Sequence, residues 1–271
     1  MSPDLFDSVV LAIRWLVGTS LLVGGLENLA AGALYRSDGL LSWEVLSTQG
    51  GAIRNPVRRW VLDRLYGARG VRFLNTLLIV SVLLLAWPGL PVLACLLAAG
   101  TALLIRLLLA NRCPYGMDGS DQMETMVLAG LVITFVLRQW APEAAPWGLY
   151  FITGQCVLSY LASGVSKLAS PIWRDGTAAM KVFGTYTYSA PSMALLMQRA
   201  PALGVPLCWS VMLWETAFPL ALFLPQGGLL GFLAVGVVFH FMNAVVMGLN
   251  KFFWAFLATY PAVWYCHRLW S

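Results

Sequence analysis

The chain has 271 residues, 59% of them hydrophobic and 11% charged, with a formal net charge of +5 and a mean hydropathy of +0.76. A water-soluble domain carries about 25% charged residues, so a surface bathed in water is excluded and the chain reads as a polytopic membrane protein in a lipid bilayer. Its apolar runs are continuous and do not alternate in period two, which argues for helices over a β-barrel. The basic surplus suits anionic headgroups or an acidic substrate, and no nucleic-acid-binding motif is present.

At about 20 apolar residues per crossing, the pattern predicts about eight spans in one all-α domain covering 1–271. They fall near 8–30, 71–88, 90–110, 122–140, 146–168, 203–224, 228–247 and 250–268. The first begins "MSPDLFDSVVLAIRW", with Asp4 and Asp7 where a cleaved leader carries basic residues, so it is expected to be a retained span. Trp15, Trp87, Trp140, Trp147 and Trp270 lie near span ends, where indole rings gather at the headgroups. "AWPGLPVL" and "LPQGGLLG" are Pro/Gly turns that make their flanking spans antiparallel hairpins.

Three connections are more than turns. In residues 31–70, Asn55 is an N-cap and Pro56 the first helical residue. Val57, Trp60, Val61 and Leu65 then recur opposite Arg58, Arg59 and Asp63, the pattern of an amphipathic helix in the membrane interface. In "NRCPYGMDGSDQMETM", Ser120 or Asp121 is expected to cap the next span, and Glu124 sits in its first turn, where the helix dipole favours a carboxylate. Residues 169–202 are too apolar for a free loop and read as a short re-entrant or interfacial helix pair over a cavity, with Tyr186, Tyr188 and Met193 packed inward.

With eight spans, fourteen of the seventeen Lys and Arg fall on the connections after the odd-numbered spans, Arg36 through Lys251. The positive-inside rule then places those connections in the cytoplasm and both termini outside. Five cysteines show no metal-ligand spacing, so no metal site is expected.

Ionisable groups inside apolar runs cost about 2.5–3.5 kcal/mol each on insertion scales and default to functional candidates. Arg14, Glu27, Lys167, Glu215 and His240 are such groups, with Asn243 one turn beyond His240 on the same helical face. They are expected to share a polar cavity, with Lys167, Glu215 and His240 converging in it. A desolvated lysine can act as a base, a histidine can shuttle a proton and a carboxylate can orient either. Deprotonation of an acidic hydroxyl such as that of a hydroquinone suits this set.

"GVSKLASPIWRDGTA", "WETAFPLALF" and "FHFMNAVVMGLNKFFWAFLATYP", in that order and together with "DGSDQM", resemble the HTTM domain, the membrane part of vitamin K-dependent gamma-carboxylase. The resemblance covers essentially the whole chain. It implies a base at Lys167, support from His240 and Glu215, and a turn built on Trp173 and Gly176. It also implies a reduced, vitamin K-type quinone as cofactor, with oxygen and carbon dioxide or bicarbonate as co-substrates. Arg174, Trp173, Asn243, Asp121 and Gln122 are the expected substrate-binding residues, Arg174 facing an acidic substrate or bicarbonate. A counterpart of the family's large lumenal domain is not expected in these residues, which leaves glutamate carboxylation in question even where a quinol site is kept. Short bacterial relatives in the family mature a secreted sporulation-delaying peptide toxin and share a motif resembling Asp118 to Gln122. The two readings are thus a quinol- and oxygen-using enzyme that modifies a peptide or small molecule, and a non-enzymatic maturation or export partner of a secreted peptide. Either is an integral protein of the bacterial inner membrane. The family's catalytic face is extracytoplasmic, opposite to the positive-inside count, so the sign of the topology stays open.

Overall fold

Apolar stripes at helical spacing drive the architecture, as Val71, Leu74, Leu78, Val82 and Leu85 show by sharing one buried face of a single helix. The structure, a computed structural model, describes residues 3–49, 55–113, 117–185 and 190–270. Helices and turns make up these residues, with no strand among them. In chain order the α-helices are α1 (Pro3–Ala30), α2 (Trp43–Gln49), α3 (Pro56–Tyr66), α4 (Ala68–Leu85), α5 (Val92–Arg112), α6 (Gly119–Trp140) and α7 (Trp147–Ala169). They continue with α8 (Pro171–Arg174), α9 (Thr177–Phe183), α10 (Pro191–Arg199), α11 (Gly204–Ala217), α12 (Gln226–Met247), α13 (Asn250–Leu257) and α14 (Tyr260–Trp270).

Seven segments among the described residues are long and apolar enough to cross a membrane: Asp4–Ala30, Ala68–Leu85, Val92–Arg112, Gly119–Trp140, Pro142–Ala169, Pro201–Phe223 and Gln226–Met247. The chain is thus an integral membrane protein. Helices α1, α4, α5, α6 and α7 pack each on the next, followed by α11 on α7 and α13 on both α12 and α1.

The expected eighth span is not one helix. It bends at Ala258 and Thr259 into α13 and α14. Pro261, which has no backbone N–H to donate, opens α14. The Thr259 hydroxyl donates to the Phe256 carbonyl at 2.7 Å, beside its own amide on the same oxygen at 3.0 Å, and contacts the Cys156 sulfur at 3.1 Å. The pair still runs the length of α1 in the opposite sense, from Lys251 beside Gly24 to Tyr265 against Phe6, ring centroids 5.7 Å apart. Broken helices at membrane depth are tolerated where protein buries them, and Ala255, Ala258, Ala262 and Cys266 are fully buried here.

The two ends of the bundle differ in charge. One end gathers the start of α1 and the ends of α6 and α14, joined by an Arg138–Asp7 ion pair and a Tyr150–Trp270 stack. At the other end α3, the end of α5 and the starts of α6 and α13 meet. Arg112 there donates to the carbonyls of Tyr66 (2.9 Å) and Leu41 (2.6 Å). The basic connections collect at this second end. Asn55 caps α3 as expected, accepting from the Val57 and Arg58 amides at 3.0 Å each. Val57, Trp60 and Val61 are exposed, leaving that apolar face to lipid. The α6 cap is Asp118, not Ser120 or Asp121. Asp118 accepts from the Ser120 and Asp121 amides, while Asp121 reaches back to the Asp118 amide at 3.0 Å in a capping box.

Candidate functional site

Lys167 lies in the last turns of α7, one turn beyond Ser163, and Glu215 lies near the end of α11. Gly164 lets the two helices touch: a Cβ there would meet the Thr216 side chain and amide and, at 3.0 Å, the Glu215 carbonyl carbon. At this approach the Lys167 ammonium donates to both carboxylate oxygens of Glu215, at 2.9 and 2.6 Å, and to the Ser163 hydroxyl. Its nitrogen also sits 5.2 Å from the centre of the Trp173 ring, within cation–π range. The Lys167 side chain keeps 18% of its surface exposed and Glu215 only 5%. Lys167 therefore fronts a cavity while Glu215 stands behind it.

That cavity has a volume of about 400 Å³ and is lined by apolar groups, among them Trp173, Phe183, Met193, Phe239 and Phe252, with Asn243 as a polar contributor. Between α7 and α11 the described residues form three short α-helices, one more than expected. Helices α9 and α10 supply Val182, Phe183, Met193 and Met197 to the lining. Tyr186 and Tyr188 lie outside the described residues. Gly176 makes the turn into α9 possible. Its φ of +81° is left-handed, and a Cβ there would collide with the backbone of Gly204 and Val205. Next to it, hydrogen bonds from the Thr177 hydroxyl (2.7 Å) and amide (2.9 Å) hold the Asp175 carboxyl below the usual carboxylate range.

The other expected residues fall elsewhere. His240 is buried but outside the cavity lining. Its Nε2 meets the Tyr160 hydroxyl at 2.6 Å, Tyr160 meets Tyr260 at 2.8 Å, and the imidazole stacks on Phe256 at 4.5 Å. Phe239 and Phe252 separate it from the cavity, their ring centroids 5.0 and 5.2 Å from its own. Arg174 is also outside. Its Nη1 donates to the Leu168 carbonyl at 2.8 Å and to Ala169 at 3.4 Å, closing the carbonyl end of α7. Gln122 is exposed. Arg14 caps α4 through the carbonyls of Leu85 and Trp87, at 2.6 Å each, and Glu27 is exposed on α1. Of the five intramembrane candidates, only Lys167 and Glu215 meet each other.

Asp121 belongs to a second charged cluster that sequence reasoning did not assemble. Arg106 of α5 contacts Asp121 at 2.5 Å and Glu124 at 3.1 Å; Lys251 of α13 contacts the same two at 2.5 and 4.0 Å. The Ser20 hydroxyl donates to Glu124 at 2.6 Å. The available signal was Arg106 itself, an arginine inside "TALLIRLLLA" that the apolar run leaves without a local partner.

Comparison with protein-family models, curated proteins and solved structures finds no match for this chain.

Proposed function

We propose that the chain is an enzyme of the bacterial inner membrane that binds a hydroquinone-type ligand in the Lys167 cavity and uses Lys167 as a base on its hydroxyl. The supporting observation is the position of the Lys167–Glu215 pair. It is the ionised element at the edge of an otherwise apolar, ring-lined cavity of about 400 Å³, a size within the range of small-molecule sites. An aromatic bicycle fits this lining: Phe239, Phe252 and Trp173 offer ring faces, and Asn243 offers an amide to a ring oxygen. When bound, such a quinol supplies reducing equivalents to oxygen. The residues of the chain hold and move the proton. Glu215, 2.6 Å behind Lys167, accepts the ammonium proton and so frees the amine as a base towards the cavity. The resemblance to the HTTM family supports the same assignment and adds carbon dioxide or bicarbonate as co-substrate and a peptide or small molecule as the group modified.

Mass spectrometry of lipid extracts from purified protein, followed by quinol-dependent oxygen uptake, tests the reading. A quinone that co-purifies with the wild type and is lost with Phe252→Ala supports it. Protein that carries no quinone and consumes no oxygen with added menaquinol sinks it. A stable complex with a small exported peptide in that preparation would establish the maturation-partner reading instead.

A further inference from the structure

The second cluster borders its own cavity of about 380 Å³, which Lys251 of α13 lines while the next residue, Phe252, lines the Lys167 cavity. Arg106, Arg112, Lys251, Asp121 and Glu124 all line it. Three cations thus face two carboxyl groups, a positive surplus whether or not Glu124 carries a proton. Gly24 and Gly25 of α1 form part of the wall, and a Cβ on Gly24 would press on the Lys251 stem at 3.0 Å.

The network leaves specific atoms unsatisfied. Glu124 is fully buried, and its Oε2, 3.1 Å from Arg106 in an ion pair, accepts no well-aligned hydrogen bond; Arg112 is 3% exposed and its Nη1 has no partner; Arg106 Nε also has none. A buried polar atom left without a hydrogen bond is costly, and more so when it is charged. Arg106 and Lys251 are paired with Asp121 and Glu124, yet these atoms stay open beside the cavity that the same residues line. The spare donors are on cations and the remaining acceptor capacity is on a carboxyl oxygen that one cation already faces, so a complementary ligand is anionic and carries a hydrogen-bond donor of its own.

We infer that this cavity binds a small anion bearing a hydroxyl or amino group, the chemistry of a glycerol phosphodiester, with Arg106, Arg112 and Lys251 on the anion and Glu124 Oε2 accepting from the donor. The same chemistry occurs in a free glycerophosphodiester and in a phosphatidylglycerol headgroup. The cavity reaches Tyr35, Leu41 and Met117 at the basic end of the bundle, so either source has an approach.

The test uses the full chain in nanodiscs of phosphatidylcholine. Titration with sn-glycero-3-phosphoglycerol should raise the thermal midpoint saturably. Dimethyl phosphate, with the same charge and no donor, should bind at least tenfold more weakly. Replacing part of the phosphatidylcholine with phosphatidylglycerol should give the same stabilisation without free ligand if the lipid is the source, and leave it unchanged if the free compound is. Lys251→Met should weaken binding at least tenfold. Glu124→Gln should shrink the preference over dimethyl phosphate by at least threefold, because the retained amide oxygen accepts less strongly than a carboxylate. Lys167→Met, in the other cavity, should leave the titration unchanged, which keeps this test separate from the proposed enzyme activity. Wild-type protein that responds to neither the free compound nor the lipid overturns the inference without recourse to any variant, as does a response that both Lys251→Met and Glu124→Gln leave intact.

Discussion

The two charged clusters solve the same problem differently. Lys167 and Glu215 form a pair with one serine, and beside them the cavity is apolar. Arg106, Asp121, Glu124 and Lys251 form a network in which each carboxylate meets both cations, and the cavity beside them is lined by charge. A pair has no reserve: the loss of either member leaves the other charge buried alone. A network can redistribute. The difference points to chemistry at the first, where one proton must be held in one place, and to recognition at the second, where several donors surround a guest.

The comparison is broken or sharpened by substitution. The largest effect belongs to Lys167→Arg, which keeps the charge but cannot release a proton, the arginine pKa being above about 12. Quinol-dependent oxygen uptake should fall by at least about 100-fold, the lower range for loss of a general base, with the fold retained; full activity would make Lys167 an anchor. Next, Glu215→Leu strands the Lys167 ammonium and should cost about 3 kcal/mol by denaturant unfolding in micelles. The double variant Lys167→Met with Glu215→Leu should recover most of that loss, since an apolar pair of similar volume is often neutral. Gly164→Ala forces α7 from α11 and should cost about 2 kcal/mol, as overpacking does, and should lower activity in parallel. Lys251→Met should cost less, about 1–2 kcal/mol, because Asp121 keeps Arg106; an equal or larger loss than Glu215→Leu would undo the contrast between pair and network. Arg58→Lys, on the exposed face of α3, should stay within about 0.5 kcal/mol and leave activity unchanged.

Local signals carried the helices. Asn55 before Pro56 marked the start of α3, and the Pro/Gly turns marked the hairpins, because each acts within a few residues. The expense of charge in hydrocarbon singled out Lys167 and Glu215 as candidates for a shared site, and their contact follows that logic. The same logic applied to His240 led to the wrong neighbour: a tyrosine hydroxyl 80 positions away meets its Nε2, and tyrosine carries no charge to announce itself. Arg106 and Lys251 were counted as topology markers because each lies near a span end. Only the packing of α5, α6 and α13 shows that both turn inward onto Asp121 and Glu124. The break at Thr259 was also hidden, since "FFWAFLATYPAVWY" is apolar throughout and Pro261 alone does not reveal how sharply the helix bends.

Helix α13 is eight residues long, and two neighbours on it look in different directions: Lys251 into the charged cavity and Phe252 into the apolar one. The helix packs against α1, α6 and α12, so one short rod fixes a wall of each compartment. A substitution that shifts it is therefore expected to register on both sides.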